Sequence, residues 1–146
     1  MDAFSEVDIL LVEDNPLDVE MTRRALEKNR LTNKILVVND GEEALDYLYA
    51  RGKFESSEIS NRPKIILLDL KLPKVNGKEV LQAIKSDPER KSIPVIVLTS
   101  STQERDMVES YQFGVNSYIV KPVDFDKFVD AINDIGLYWL LLNKQP

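Results

Sequence analysis

Four short apolar runs in this chain each end on a residue able to do chemistry: Ile9 to Val12 lead into Glu13 and Asp14, Ile65 to Leu68 into Asp69, Val95 to Leu98 into Thr99, and Tyr118 to Val120 into Lys121. Runs this short and this rich in branched side chains read as buried strands when segments of helical spacing separate them. In an open parallel α/β sheet, ligands bind in the crevice outside the carboxyl ends of the strands. The five terminal side chains would therefore meet in one place. A charged residue also commonly marks where a strand leaves the core, and any single run reads as well that way; four in register do not.

The intervals supply the helices. Asn15 is an N-cap with Pro16 at the first helical position, and Val19, Thr22 and Leu26 outline a helix to about Asn29. Residues 34–38 form the second strand, after which Asp40-Gly41 opens a helix with Ala44, Leu45 and Leu48 inward. The polar stretch 51–62 reads as an exposed loop outside the core. A third strand at 64–69 is followed by a helix over 77–86 with Val80, Leu81 and Ile84 on its apolar face, then a fourth strand at 93–99. A helix over 102–113 is closed by Gly114. A fifth strand at 117–120 precedes a last helix capped by Asp124, whose stripe runs Phe128, Ile132, Ile135, Trp139 and Leu142. Strand and helix alternate throughout, which predicts a parallel sheet covered on both faces.

A length of 146 residues suits one domain. The chain has no cysteine, so disulfides, thiolate metal sites and thiol nucleophiles are excluded. It has no histidine either, which removes the commonest general base, zinc ligand and phosphocarrier. The net charge of −6 argues against nucleic acid as a partner. Residues 1–8 lack the basic flank and long apolar core of a signal peptide, and no run is long enough to span a membrane. The expectation is a soluble, cytoplasmic protein.

Three carboxylates, one hydroxyl and one ammonium at the strand ends define the chemistry. Packed carboxylates repel one another unless a cation intervenes. Oxygen-only ligands suit magnesium, whereas zinc would want nitrogen or sulfur. Thr99 and Lys121 are then donors for an anion, and a phosphoryl group on one carboxylate would be held between the metal and Lys121. Asp69, ending the most apolar strand, is the natural nucleophile. A bare carboxylate there is costly without a metal or a partner.

The segments Ile-Leu-Leu-Val-Glu-Asp-Asn-Pro (9–16), Leu-Leu-Asp-Leu-Lys-Leu-Pro-Lys-Val-Asn-Gly (67–77), Pro-Val-Ile-Val-Leu-Thr-Ser (94–100) and Tyr-Ile-Val-Lys-Pro (118–122) resemble those of response-regulator receiver domains over about residues 7–135. The resemblance implies a flavodoxin-like, doubly wound five-stranded parallel sheet of order 2-1-3-4-5 with about five helices. It makes Asp69 the phosphoacceptor, Asp14 a direct magnesium ligand, Glu13 a ligand acting mostly through water, and the Lys71 carbonyl a further ligand. Thr99 would donate to a phosphoryl oxygen and Lys121 would pair with it. Tyr118 falls where the family keeps an aromatic switch residue, though it also reads as an ordinary half-buried strand tyrosine. The Lys121-Pro122 bond would be cis. Lys71 and Ser101 stand where family members tune the lifetime of the phosphoryl group.

The implied partner is a sensor histidine kinase, and the implied activity is acceptance and slow self-hydrolysis of a phosphoryl group rather than conventional catalysis. The polar insert at 51–62 and the apolar ending 136–146 are similar to the single-domain regulators of bacterial phytochrome kinases. The run Leu137 to Leu142 is too apolar for a solvated helix end, which predicts a homodimer contact unless the tail folds back on its own domain. A phospho-aspartyl hydrolase would want a second Asp where Lys71 stands. A nucleotide- or flavin-binding module would want a Gly-rich loop where Glu-Asp-Asn-Pro stands. A phosphorylation-dead interaction module is disfavoured by the complete set of site residues.

Overall fold

The computed structural model describes residues 7–28, 34–55, 62–72, 75–101 and 117–134. Within them the order is β1 (Ile9–Val12), α1 (Pro16–Lys28), β2 (Ile35–Val38), α2 (Gly41–Leu48), a 3-10 turn (Gly52–Phe54), β3 (Ile65–Asp69), α3 (Gly77–Ser86), β4 (Val95–Thr99), β5 (Ser117–Val120) and α4 (Phe125–Asp134). The expected helix at 102–113, its closing Gly114 and the tail 136–146 lie outside the described residues.

All strand pairings are parallel and the sheet order is β2-β1-β3-β4-β5, as the resemblance implies. The register aligns Val12 with Leu68, Asp69 with Leu98 and Thr99 with Val120, so the strands finish together along one edge. Strand alternation divides the core into two layers. Leu10, Val12, Ile66, Leu68, Val95 and Val97 pack with Ala44, Leu48, Val80, Leu81 and Ile84 of α2 and α3. On the opposite face Ile9, Leu11, Ile65, Leu67, Ile96 and Leu98 pack with Leu26 of α1 and with Phe128, Ala131 and Ile132 of α4. Strands buried on both faces explain why the runs are continuously apolar instead of alternating.

Helix starts follow the expected caps. Asn15 Oδ1 accepts from the backbone N–H groups of Leu17 (2.9 Å) and Asp18 (3.2 Å), Asp40 Oδ1 from Glu43 (2.7 Å), and Asp124 Oδ1 from Lys127 (2.8 Å). At α3, Asn76 and Glu79 form a capping box. One expectation is corrected: Phe54, inside the stretch read as a loop outside the core, is buried and meets Tyr47 edge-on at 5.3 Å between ring centroids. The 3-10 turn brings this lone aromatic back onto the domain, where burying its ring outweighs the polarity of its neighbours.

Candidate functional site

Lys121, just past β5, gathers the acids that the strands deliver. Its backbone N–H donates to the Thr99 carbonyl at 2.8 Å, extending the β4–β5 ladder, and the Lys121–Pro122 peptide bond is cis. Its ammonium lies 2.7 Å from Glu13 Oε1, 2.9 Å from Asp69 Oδ2 and 2.9 Å from Asp18 Oδ2. A lysine ammonium has three N–H groups. Two of these contacts, to Asp69 and Asp18, are hydrogen bonds, and Glu13 completes the cluster as a close ion pair.

The other halves of these acids are held by backbone. Glu13 Oε2 accepts from the Asn15 N–H at 3.2 Å and Asp69 Oδ1 from the Lys71 N–H at 3.1 Å. Glu13 and Asp69 are buried whereas Asp14 is exposed, and the three offer oxygens that all lie within 4.8 Å of one another. Burial, reinforced by the neighbouring Asp69 carboxylate, pushes Glu13 up to about 7 from the usual 4.5 even though Lys121 opposes the shift. For Lys121, burial disfavours the charged form, but the neighbouring Glu13, Asp69 and Asp18 carboxylates win and hold its pKa above the ordinary lysine value.

Thr99 ends β4 fully buried, and its Oγ1 has no hydrogen-bond partner among the described residues. A buried hydroxyl left unsatisfied costs about 1–3 kcal/mol. A free donor beside an ammonium and clustered acids fits a site built around a metal and an anion. Tyr118 is half-buried and packs against the layer that holds Val95 and Val97. It pairs with Val97, as Val120 does with Thr99, so Tyr118 and Thr99 point to the same sheet face. The Lys71 side chain is exposed.

The turn after Asp69 is fixed by close approach. The Gly77 N–H donates to the Leu70 carbonyl at 3.0 Å, and a Cβ at Gly77 would run into Leu70 Cα and the Asp69 carbonyl oxygen. Only glycine lets α3 begin against the strand that carries the central acid.

Glu13, Asp69 and Lys121 are in direct contact, Asp14 completes the acidic cluster, and Thr99 stands at the same strand edge. Two residues escape the sequence reading. Asp18 reaches Lys121 from the first turn of α1; once Asn15-Pro16 fixes the helix start, it is the third helical residue, one turn on from Asp14, and that placement was available as a signal. Lys127, in the first turn of α4, donates to the Val120 (3.0 Å) and Pro122 (3.2 Å) carbonyls on either side of Lys121. A lysine at a helix N-terminus opposes the helix dipole, which hints that it has carbonyls to serve.

The signature of response regulator receiver domains matches residues 9–133. The chain belongs to the response regulator receiver family. Among solved receivers, it is similar to the bacteriophytochrome response regulator RtBRR, with 55% identity and a TM-score of 0.87 over 96% of this chain and 84% of that one. It is similar also to the bacteriophytochrome response regulator AtBRR, with 52% identity and a TM-score of 0.87 over 94% and 98%. Response regulator Rcp1 of Synechocystis sp. is 39% identical over 132 residues, 90% of this chain and 88% of Rcp1. A solved Mn2+-bound form of Rcp1 superposes with a TM-score of 0.71 at 36% identity, covering 96% of this chain and 97% of that one. This receiver is thus related to phytochrome response regulators and shares their flavodoxin-like fold. Among the described residues no helix is long and apolar enough to cross a membrane.

Proposed function

We propose that this receiver accepts a phosphoryl group on Asp69 from the phosphohistidine of a sensor kinase, with magnesium, and signals through protein contacts. The observation that carries the reading is the pairing of a Lys121 ammonium shared by buried carboxylates with the unsatisfied hydroxyl of Thr99. Glu13, Asp14, Asp69 and the Lys71 carbonyl would hold the metal, which would supply charge neutralisation between carboxylate and phosphoryl oxygens. An Asp69 carboxylate oxygen attacks phosphorus, the O–P bond forms as the N–P bond breaks, and the imidazole departs with the bonding pair. Lys121 balances the added negative charge, and the Thr99 hydroxyl donates to a phosphoryl oxygen. Tyr118, on the same face as Thr99, is the switch residue that responds when Thr99 engages the phosphoryl group. Slow attack of water on phosphorus returns the free carboxylate.

The kinase is of the phytochrome class in this reading, because the similar solved regulators are named for bacteriophytochromes. A protein donor has something to grip beside the site: Leu17 and Met21, one turn apart on α1, are 65% and 39% exposed. Homodimerisation through the tail 137–142, and a cytoplasmic location, belong to the same proposal and rest on the sequence. Incubation with acetyl phosphate and magnesium, followed by intact-mass measurement, is expected to add one phosphoryl group to the parent chain and none to Asp69→Asn. Equal labelling of the two would overturn the assignment.

A further inference from the structure

The Lys121 ammonium donates to Asp69 and Asp18 and lies 2.7 Å from Glu13 Oε1, so a phosphoryl oxygen reaching it must compete with a carboxylate already in place. The three carboxylates are not equivalent. Glu13 is 1% exposed, and its second oxygen is tied to the Asn15 N–H. Asp69 is the group to be modified, and its second oxygen is tied to the Lys71 N–H. The Asp18 side chain is 28% exposed and sits in the first turn of a surface helix. Of the three, it can leave the ammonium for water at the lowest desolvation cost.

We propose that Asp18 is a positioning residue that competes with the phosphoryl group for Lys121, so that its carboxylate sets how readily Asp69 is modified. This rests on the reading of Asp69 as the phosphoacceptor. Before modification Asp18 accepts from Lys121 beside Asp69 and holds the ammonium in the site. As the phosphoryl group arrives, the donor passes from Asp18 Oδ2 to a phosphoryl oxygen and Asp18 turns to solvent. Asp18 is thus a brake whose removal favours the modified state.

Beryllofluoride, which mimics a phosphoryl group on a carboxylate, provides the probe. Its affinity is measured by calorimetry and fluorine NMR at saturating magnesium in the parent, Asp18→Asn, Asp18→Ala and Glu20→Gln chains. Glu20 lies on the same helix, is half-exposed and pairs with Arg24, so Glu20→Gln removes the same charge without touching Lys121. Asp18→Asn and Asp18→Ala are expected to bind about three- to tenfold more tightly than the parent, a range set by a partly exposed charged hydrogen bond. Glu20→Gln is expected to stay within twofold. The initial rate of labelling by acetyl phosphate should rise in the same order.

Unchanged or weaker binding in both Asp18 variants would overturn the proposal, and so would equal tightening in Glu20→Gln, which would reveal a general charge effect. Denaturation midpoints confirm that each variant is folded, and two Asp18 variants guard against the failure of one. If the parent binds no beryllofluoride, or binds it equally after Asp69→Asn, the phosphoacceptor reading itself fails. Binding in the parent that Asp18 does not affect defeats this inference alone.

Discussion

The two ends of the sheet treat buried charge in opposite ways. At the amino ends Asp8 is buried, but Oδ2 accepts from the Lys34 N–H at 2.9 Å, Oδ1 lies 3.4 Å from the Lys64 ammonium, and its carbonyl accepts from Lys64 and Ile65 at 2.8 and 3.1 Å. Arg90, buried before β4, is similarly matched, to Asp87 at 2.6 Å, to the Leu48 carbonyl at 3.1 Å and to the face of Tyr49 at 4.2 Å. At the carboxyl ends Glu13, Asp18 and Asp69 share one lysine, Asp14 lies beside Glu13 and Asp69, and the Thr99 hydroxyl has no hydrogen-bond partner among the described residues. Charge that ties strands together arrives with its partners. The carboxyl end is short of such partners among the described residues, and that shortfall is why the proposed function is assigned to it.

The largest test of this contrast is pH. The folded-state pKa of Glu13, about 7, stands above its ordinary 4.5. Its contribution to stability is therefore fully present below pH 4.5 and lost as pH rises through 7. At about 1.4 kcal/mol per pKa unit, that loss is about 3 kcal/mol. Urea denaturation of the metal-free chain should show this decline, and Glu13→Gln should flatten it. An identical slope in the variant would mean that the carboxyl end is not under-compensated.

Next in size is the amino end. Asp8→Ala removes the buried carboxylate that accepts from the Lys34 N–H and faces the Lys64 ammonium, and is expected to cost about 2 kcal/mol of unfolding free energy while phosphorylation of Asp69 proceeds as in the parent. Lost labelling in a folded Asp8→Ala chain would break the division of labour between the ends. The smallest effect belongs to Asp14, whose exposed carboxylate completes the acidic cluster. Asp14→Ala should weaken magnesium binding by about tenfold, as expected for one carboxylate of a site that keeps several waters. Calorimetric titration would read it, and an unchanged affinity would leave Glu13 and Asp69 as the metal's carboxylates.

The strands and their terminal residues were legible because each buried run announces itself by composition and ends where polarity begins. Asp69, Glu13 and Lys121 converge for that reason alone. The strand order was not available from the runs and came from the receiver resemblance. Phe54 was misplaced because one aromatic in a polar stretch carries no period. Asp18 was missed because its partner lies 103 positions away, and its place one turn on from Asp14 shows which edge it is near but not whether it faces water or an ammonium. Lys127 gave only the weak signal of a cation at a helix start, because the carbonyls that accept from it leave no trace in residue identity.

The wide separation between Lys121 and its partners also bears on how the chain is made. Synthesis runs from Glu13 past Asp69 before it reaches Lys121, which meets Asp69 across 52 positions and Asp18 across 103. Until β5 emerges, a growing chain carries the site's acids without the lysine that joins them. Closing those long loops is entropically slow, and the order of synthesis places it late. The finished cluster therefore doubles as a certificate of completion: Lys121 can meet Glu13 and Asp69 only in a chain whose first, third and fifth strands have already found their places.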